Sequence, residues 1–325
     1  MKGKNMTTKT VPKQERTGSE GVFKDLAKAV QPYIETSTLD EGRVVEIVDD
    51  RVSKIVPRPV EVNINDKTAK LEGFVHAAFD AIMQIVSEGC KNVYLYGPAG
   101  TGKTTLAANV ASALSAKFSF ISLSMGVTET HLFGRLLPQE DGSWQYTKSA
   151  FVEIYENGGV FLLDEFDAAD ANVMVSINAA LANGMFANPV SGRVHHRSED
   201  TYIIAAANTW GHGADAQYVG RNQLDTATLD RFTMAKVHVK YDETLESQIA
   251  NSRISSEAKC KELLDWVKEL RESISELRLK RVATTRLVER AANAIAAGRS
   301  LPDVKARYFC DWSHDERRRV LCGGD

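Results

Sequence analysis

Cysteine and proline are scarce in this chain, and neither supplies a framework. Four cysteines, Cys90, Cys260, Cys310 and Cys322, are scattered over 325 residues with no Cys-x-x-Cys pair. That excludes a disulfide scaffold or zinc knuckle as the organising device and fits a reducing cytoplasm. His314 lies between Cys310 and Cys322, but the spacing matches no familiar metal pattern, so these read as unrelated thiols. Eight prolines and 22 glycines are too few for a collagen-like or low-complexity chain. No apolar run approaches the ~18 residues that would read as a membrane span. The richest runs, Val160–Leu163 and Tyr202–Ala207, are strand-sized. The first twenty residues stay polar, so no secretory signal is read, and a cytoplasmic location without membrane engagement is the expectation. An excess of one charge is missing too. Forty basic and 43 acidic side chains give −3, so no global field draws the chain onto nucleic acid or anionic lipid.

What is present is ordinary globular material, 43% hydrophobic and 26% charged, long enough for about two domains. Residues 1–16 carry five basic side chains against Glu15 alone, which reads as a disordered basic arm. Residues 17–70 read as a small N-terminal element. Val22, Leu26, Val30 and Ile34 suggest a short amphipathic helix weakened by Pro32, and Arg43–Val48 and Val60–Ile64 suggest strands separated by Pro57 and Pro59. Over 71–241 strands and helices alternate. Strands are expected at Asn92–Tyr96, Phe118–Leu123, Val160–Leu163, Tyr202–Ala207 and Ala235–Val239, and helices at Leu71–Ser87, Lys103–Leu114, Ser149–Tyr155 and Asn172–Leu181. That order implies an α/β layered domain with a parallel sheet. Residues 242–299 then read as all-helical, with helices at Ser255–Leu279 and Thr285–Ala297, and 300–325 as a tail in which Ser313-His-Asp-Glu316 could cap one last helix.

Gly97-Pro98-Ala99-Gly100-Thr101-Gly102-Lys103-Thr104 follows an expected strand and opens an expected helix. Its glycines let backbone N–H groups face a phosphate, and the helix N-terminus adds positive potential. Lys103 should reach the β- and γ-phosphates and Thr104 should coordinate Mg²⁺, with Thr105 continuing the cradle. Val160-Phe-Leu-Leu-Asp164-Glu165 ends a buried strand in two carboxylates. Asp164 is expected to hold Mg²⁺ and Glu165 to polarise the attacking water. Tyr202-Ile-Ile-Ala-Ala-Ala-Asn208 ends another such strand in an amide able to sense the γ-phosphate. No Asn-Lys-x-Asp and no Leu-Ser-Gly-Gly-Gln occurs, which counts against a GTPase and a transporter-type ATPase. Arg231, in Leu229-Asp230-Arg231-Phe232, and Arg286, in Thr284-Thr285-Arg286-Leu287, are surface arginines by default. Either could bring a guanidinium to the γ-phosphate. The neighbouring His195-His196 read as polar, exposed hairpin positions.

The order of these motifs resembles the AAA+ ATPases, and within them the MoxR, dynein-related and CobS-like chelatase-subunit group, over roughly residues 71–298. His131–Ala150 and Met185–Arg197 resemble that group's two inserts, which face the pore of a ring in such relatives. The resemblance implies a P-loop NTPase αβα core with a helical C-terminal lid. It also implies ATP and Mg²⁺ as ligands and a homo-oligomeric, hexamer-like ring with ATP between subunits that remodels a protein client or partner subunit. Arg231 would be the finger reaching a neighbour's ATP, with Arg221 as a second finger candidate, and Arg286 would be the sensor of the lid. Two other readings stay open: a nucleic-acid motor or loader, favoured by the basic arm and opposed by the net charge, and a nucleotide-gated scaffold with little turnover.

Overall fold

The computed structural model describes residues 60–64, 67–71, 73–214 and 217–321. The chain divides by its contacts at Val52/Ser53, and all described residues lie in the second unit. The basic arm, the expected helix around Val22–Ile34, the strand Arg43–Val48 and Cys322 lie outside the described residues.

An antiparallel hairpin, β1 (Val60–Ile64) and β2 (Lys67–Leu71), comes first. The helix expected from Leu71 begins later, as α1 (Ala78–Ser87), because Gly73 takes a φ of +98° and interrupts the chain. There follow β3 (Asn92–Tyr96), α2 (Lys103–Ala113), β4 (Phe118–Ser122) and α3 (Glu129–Phe133). A hairpin of β5 (Arg135–Pro138) and β6 (Trp144–Thr147) leads to α4 (Ala150–Asn157) and β7 (Gly159–Asp164). Next come α5 (Ala171–Asn183), a second hairpin of β8 (Met185–Ala187) and β9 (Val194–His196), then β10 (Thr201–Ala207), α6 (Thr226–Asp230) and β11 (Lys236–His238).

Five strands form one parallel sheet in the order β11-β3-β10-β7-β4. Both faces are covered, which is why its inner strands read as continuous apolar runs. The period of two divides each strand between two cores. Tyr94, Phe161, Leu163, Ile203 and Ala205 pack with α4 and α5, whereas Val93, Leu95, Leu162, Ile204 and Ala206 pack with α1 and α2. The strand order sets the ends of β3, β10 and β7 side by side.

The helical unit comprises α7 (Glu243–Asn251), α8 (Glu257–Glu276), α9 (Thr285–Ala296), α10 (Leu301–Tyr308) and α11 (His314–Leu321). Residues set apart in the sequence as a tail complete its core. Leu301, Val304, Phe309 and Trp312 are buried with Leu263, Val267 and Val288. A Ser300/Asp303 capping box with proline in the first turn starts α10. A buried ion pair ties this unit together. Glu246, 2% exposed, accepts two bonds from Arg271 at 2.7 and 2.8 Å and one from Thr285 Oγ1 at 2.6 Å.

The two hairpins share one hub. Asn188, buried in the turn after β8, donates to the Phe133 carbonyl at 2.9 Å and to Tyr146 on β6 at 2.8 Å. Its amide also lies 3.3 Å from His195 Nε2. His195 is buried rather than exposed as its polar neighbourhood suggested, since its other ring nitrogen meets Glu156 at 2.7 Å and its ring stacks on Phe186. Trp144, Met185 and Val194 remain exposed on the same hairpins.

Candidate functional site

The loop from Gly97 to Gly102 leaves β3 and enters α2. Gly97, Gly100 and Gly102 have φ of +149°, +72° and +94°, in the region where a side chain is strained. Space makes the same demand. A Cβ on Gly97 would strike the Val239 carbonyl, and one on Gly100 would lie 2.6 Å from Thr284 Cβ. The loop therefore passes directly beneath the start of α9. Tyr218 and Tyr241 hold Ala99 from both sides, the first accepting from its N–H at 2.8 Å, the second donating to its carbonyl at 3.1 Å.

Lys103 folds back over this loop. Its Nζ donates to Gly97 O at 2.7 Å, Pro98 O at 2.8 Å and Asn208 Oδ1 at 3.1 Å. Burial pushes its pKa down to about 8, against the pull of Asp164, Glu165 and Asp167. Thr104 Oγ1 donates to Asp164 Oδ2 at 2.9 Å. A hydroxyl and a carboxylate so placed are hard oxygen donors from the protein side, with room left for water and phosphate oxygens, which suits Mg²⁺. Among the described residues no group of three or more His, Cys, Asp or Glu side chains could hold a metal.

Glu165 follows at a φ of +54°, a strained conformation for a non-glycine residue. Its carboxylate accepts from Asn208 Nδ2 at 3.1 Å and forms an ion pair with Arg221 Nη1. Arg221 also pairs with Asp167 at 3.2 Å. Asp167 is fully buried and fixed by Thr209, whose N–H and hydroxyl donate to it at 2.9 and 2.8 Å. Asp167, Thr209, Tyr218 and Tyr241 were not picked out from the sequence. For Asp167 a signal existed, since it stands three positions after Asp164, but the tyrosines carry none.

Ala99 to Thr105, Asp164, Glu165, Asn208 and Arg286 line one cavity of about 560 Å³, closed on the helical side by Leu245, Ile249 and the Arg253–Glu289 pair, itself 2.7 Å long. Gly97 and Pro98 form the loop behind it. Of the expected site residues, Arg231 stands outside. It is exposed at the end of α6, and its side chain makes no ion pair among the described residues.

The family model described as AAA domain (dynein-related subfamily) matches residues 92–232. An uncharacterized protein of Staphylococcus saprophyticus is 24% identical over 187 residues, 56% of this chain and 68% of its own. YojN of Bacillus subtilis is 27% identical over 163 residues, 49% of this chain and 51% of its own. Midasin of Dictyostelium discoideum is 28% identical over 145 residues, 43% of this chain and 2% of that protein. A solved structure from Cytophaga hutchinsonii aligns over 82% of this chain and 84% of its own at 16% identity, with a TM-score of 0.40. The sequence alignments cover from 68% down to 2% of these relatives' lengths. Among the described residues no helix is long and apolar enough to cross a membrane.

Proposed function

We propose that this chain, whose residues 92–232 match the AAA domain of the dynein-related subfamily, is an AAA+ ATPase that hydrolyses ATP at sites shared between subunits of a homo-oligomeric, hexamer-like ring and uses the cycle to remodel a protein partner. One observation carries the reading. The Asn208 amide joins Lys103 Nζ to Glu165 Oε2, at 3.1 Å on each side. In this reading a phosphate-binding lysine and a base are held by the two ends of one side chain, which sets the lysine that would meet the γ-phosphate and the carboxylate that would meet the water in one fixed relation.

In this reading the N–H groups of the loop and Lys103 hold the β- and γ-phosphates. Thr104 and Asp164 would hold Mg²⁺, which when bound offsets the charge on the phosphates. Water attacks the γ-phosphorus, the bond to the bridging oxygen of ADP breaks, and the proton leaves with Glu165 and passes to solvent. Asn208 orients the water, Arg286 approaches from the helical unit, and Arg231 reaches the neighbour's phosphate. The exposure of Arg231 supports the last assignment, and the cis ion pair of Arg221 makes that residue the poorer finger.

Steady-state ATP hydrolysis measured against protein concentration tests the reading. Specific activity should rise with concentration, and Glu165→Gln should retain ATP binding while losing about 10²–10⁴ in rate. Activity independent of concentration would overturn the shared site. Absence of hydrolysis at every concentration, with ATP bound, would overturn the hydrolase and leave a nucleotide-gated scaffold.

A further inference from the structure

Helices α9 and α10 enclose a second cavity, of about 580 Å³. Its floor is apolar, made by Leu287, Ala291 and Ala294 on α9 and Val304 on α10. Four arginines line it: Arg286 and Arg290, one turn apart on α9, Arg299 in the connection, and Arg307 on α10. All four are exposed, and none forms a side-chain ion pair or hydrogen bond among the described residues. Asp303, the carboxylate of the lining, is engaged elsewhere, accepting from the Ser300 hydroxyl at 2.5 Å and N–H at 3.3 Å at the cap of α10.

Elsewhere in the helical unit several arginines find carboxylates, while Arg317 and Arg319 donate to backbone carbonyls. Arg253 pairs with Glu289, Arg271 with Glu246, and Arg281 with Asp311 and Glu316. Four guanidinium groups without an ion pair or side-chain hydrogen bond therefore surround one apolar hollow, with Asp303, beside Arg299, as the carboxylate of its lining, in a chain whose net charge is −3. Guanidinium forks around such a hollow favour carboxylates carried beside apolar anchors.

We propose that this groove docks an acidic segment of a partner protein, one in which Asp or Glu alternates with apolar side chains. The apolar residues would fill the floor and the carboxylates would pair with the arginine rim. A nucleic acid fits less well, because Leu, Ala and Val offer no surface on which bases stack. Tyr308, the aromatic residue of the lining, has its ring packed against Trp266, Phe309 and Trp312. Arg286 lines this groove and the nucleotide cavity alike, so an occupant that engages it competes with phosphate for one guanidinium. That coupling rests on the nucleotide reading; the docking itself does not.

The test is fluorescence anisotropy of a labelled peptide, Glu-Glu-Leu-Glu-Glu-Leu-Phe-Glu, titrated with the full chain. Saturable binding is expected, weakened by salt. A triple charge reversal, Arg290→Glu with Arg299→Glu and Arg307→Glu, should lower the affinity roughly tenfold or more, as should replacing the peptide's Glu by Gln. None of these three arginines lines the nucleotide cavity, so ATP affinity and circular dichroism should stay unchanged. Where the triple variant fails that folding check, Arg290→Gln with Arg307→Gln replaces it and should weaken the peptide about threefold. No binding to the wild-type chain, or equal binding to the variants, overturns the proposal. So does an oligothymidylate that binds in the peptide's place with the same sensitivity, or a change in sedimentation on charge reversal, which would assign the groove to a second copy of this chain.

Discussion

Within a single chain, the guanidinium of Arg221 is paired with the carboxylate of Glu165. An arginine that the motif order allowed as a reach toward a neighbour is instead held at home, anchored from behind by the buried Asp167. The two arginines near the sensor strand are therefore separable by experiment, because the proposed reading places only Arg221 in the same chain as the carboxylate it acts on.

Mixing inactive variants exposes that difference. Arg231→Ala and Glu165→Gln should each be nearly silent alone, the first by about 10³–10⁵-fold and the second by about 10²–10⁴-fold. Mixed one to one, about a quarter of the interfaces in a ring combine an intact Glu165 with an intact Arg231, so activity should return to roughly that level. Arg221→Ala mixed with Glu165→Gln should recover nothing. Steady-state hydrolysis of the two mixtures decides it, and recovery in the second would move Arg221 to the neighbour's site.

Lys103 makes ATP binding proton-linked. Burial lowers its pKa from 10.5 to about 8, and phosphate charge replacing neutral carbonyls as its partners would raise it again. ATP affinity should therefore fall as pH rises through 8, with up to about one proton taken up on binding near pH 8.5. Calorimetry in two buffers of different ionisation enthalpy reads the uptake; none between pH 8 and 9 would be the contrary result. The sign for folding is opposite. Between about 8 and 10.5 the unfolded chain binds more protons at this lysine, so its contribution to stability rises with pH across that window.

Gly100 lies at φ +72° with Thr284 2.6 Å from where a Cβ would stand. Gly100→Ala should displace the start of α9 and lower stability by on the order of 2 kcal/mol. ATP affinity should fall with it, because Arg286 sits two residues beyond Thr284. Thermal melts with and without ATP check both effects, and an unchanged ATP-induced shift would contradict the contact.

Asn188→Ala removes the hub beneath both hairpins; the Phe133 carbonyl keeps the Tyr146 hydroxyl as its donor, so the loss of the amide's bonds should cost about 1 kcal/mol. Amide exchange should speed up together in β5–β6 and in β8–β9. Faster exchange in β8–β9 alone would show that the two hairpins are independent.

The parts of the fold legible in the sequence are those where burial dictates composition. β3 matches its expected span, and the expected Val160–Leu163 and Tyr202–Ala207 lie inside β7 and β10, because strands covered on both faces must be apolar throughout. α7 escaped notice for the converse reason. Its buried positions are Glu246 and Ala250, so a carboxylate paired with Arg271 stands where the apolar repeat would have shown. The Gly97–Thr104 loop, Asp164, Glu165 and Asn208 came together because each lies at the end of a buried strand of one sheet. Arg221, Tyr218 and Tyr241 arrive through loops, and only tertiary structure brings them to the phosphate loop and to Glu165.

Asn92 opens β3, and its amide donates to the Arg231 carbonyl at 3.3 Å and to Leu181 O at 3.1 Å. Five residues later the same strand delivers Gly97. Held on one edge by β11 and on the other by β10, this strand resists bending. It is placed as a lever, with the backbone of the exposed Arg231 tied at one end and the glycine-rich loop at the other. In the proposed reading, a pull on Arg231 from a neighbouring subunit should be passed, one strand length away, to the loop that opens α2.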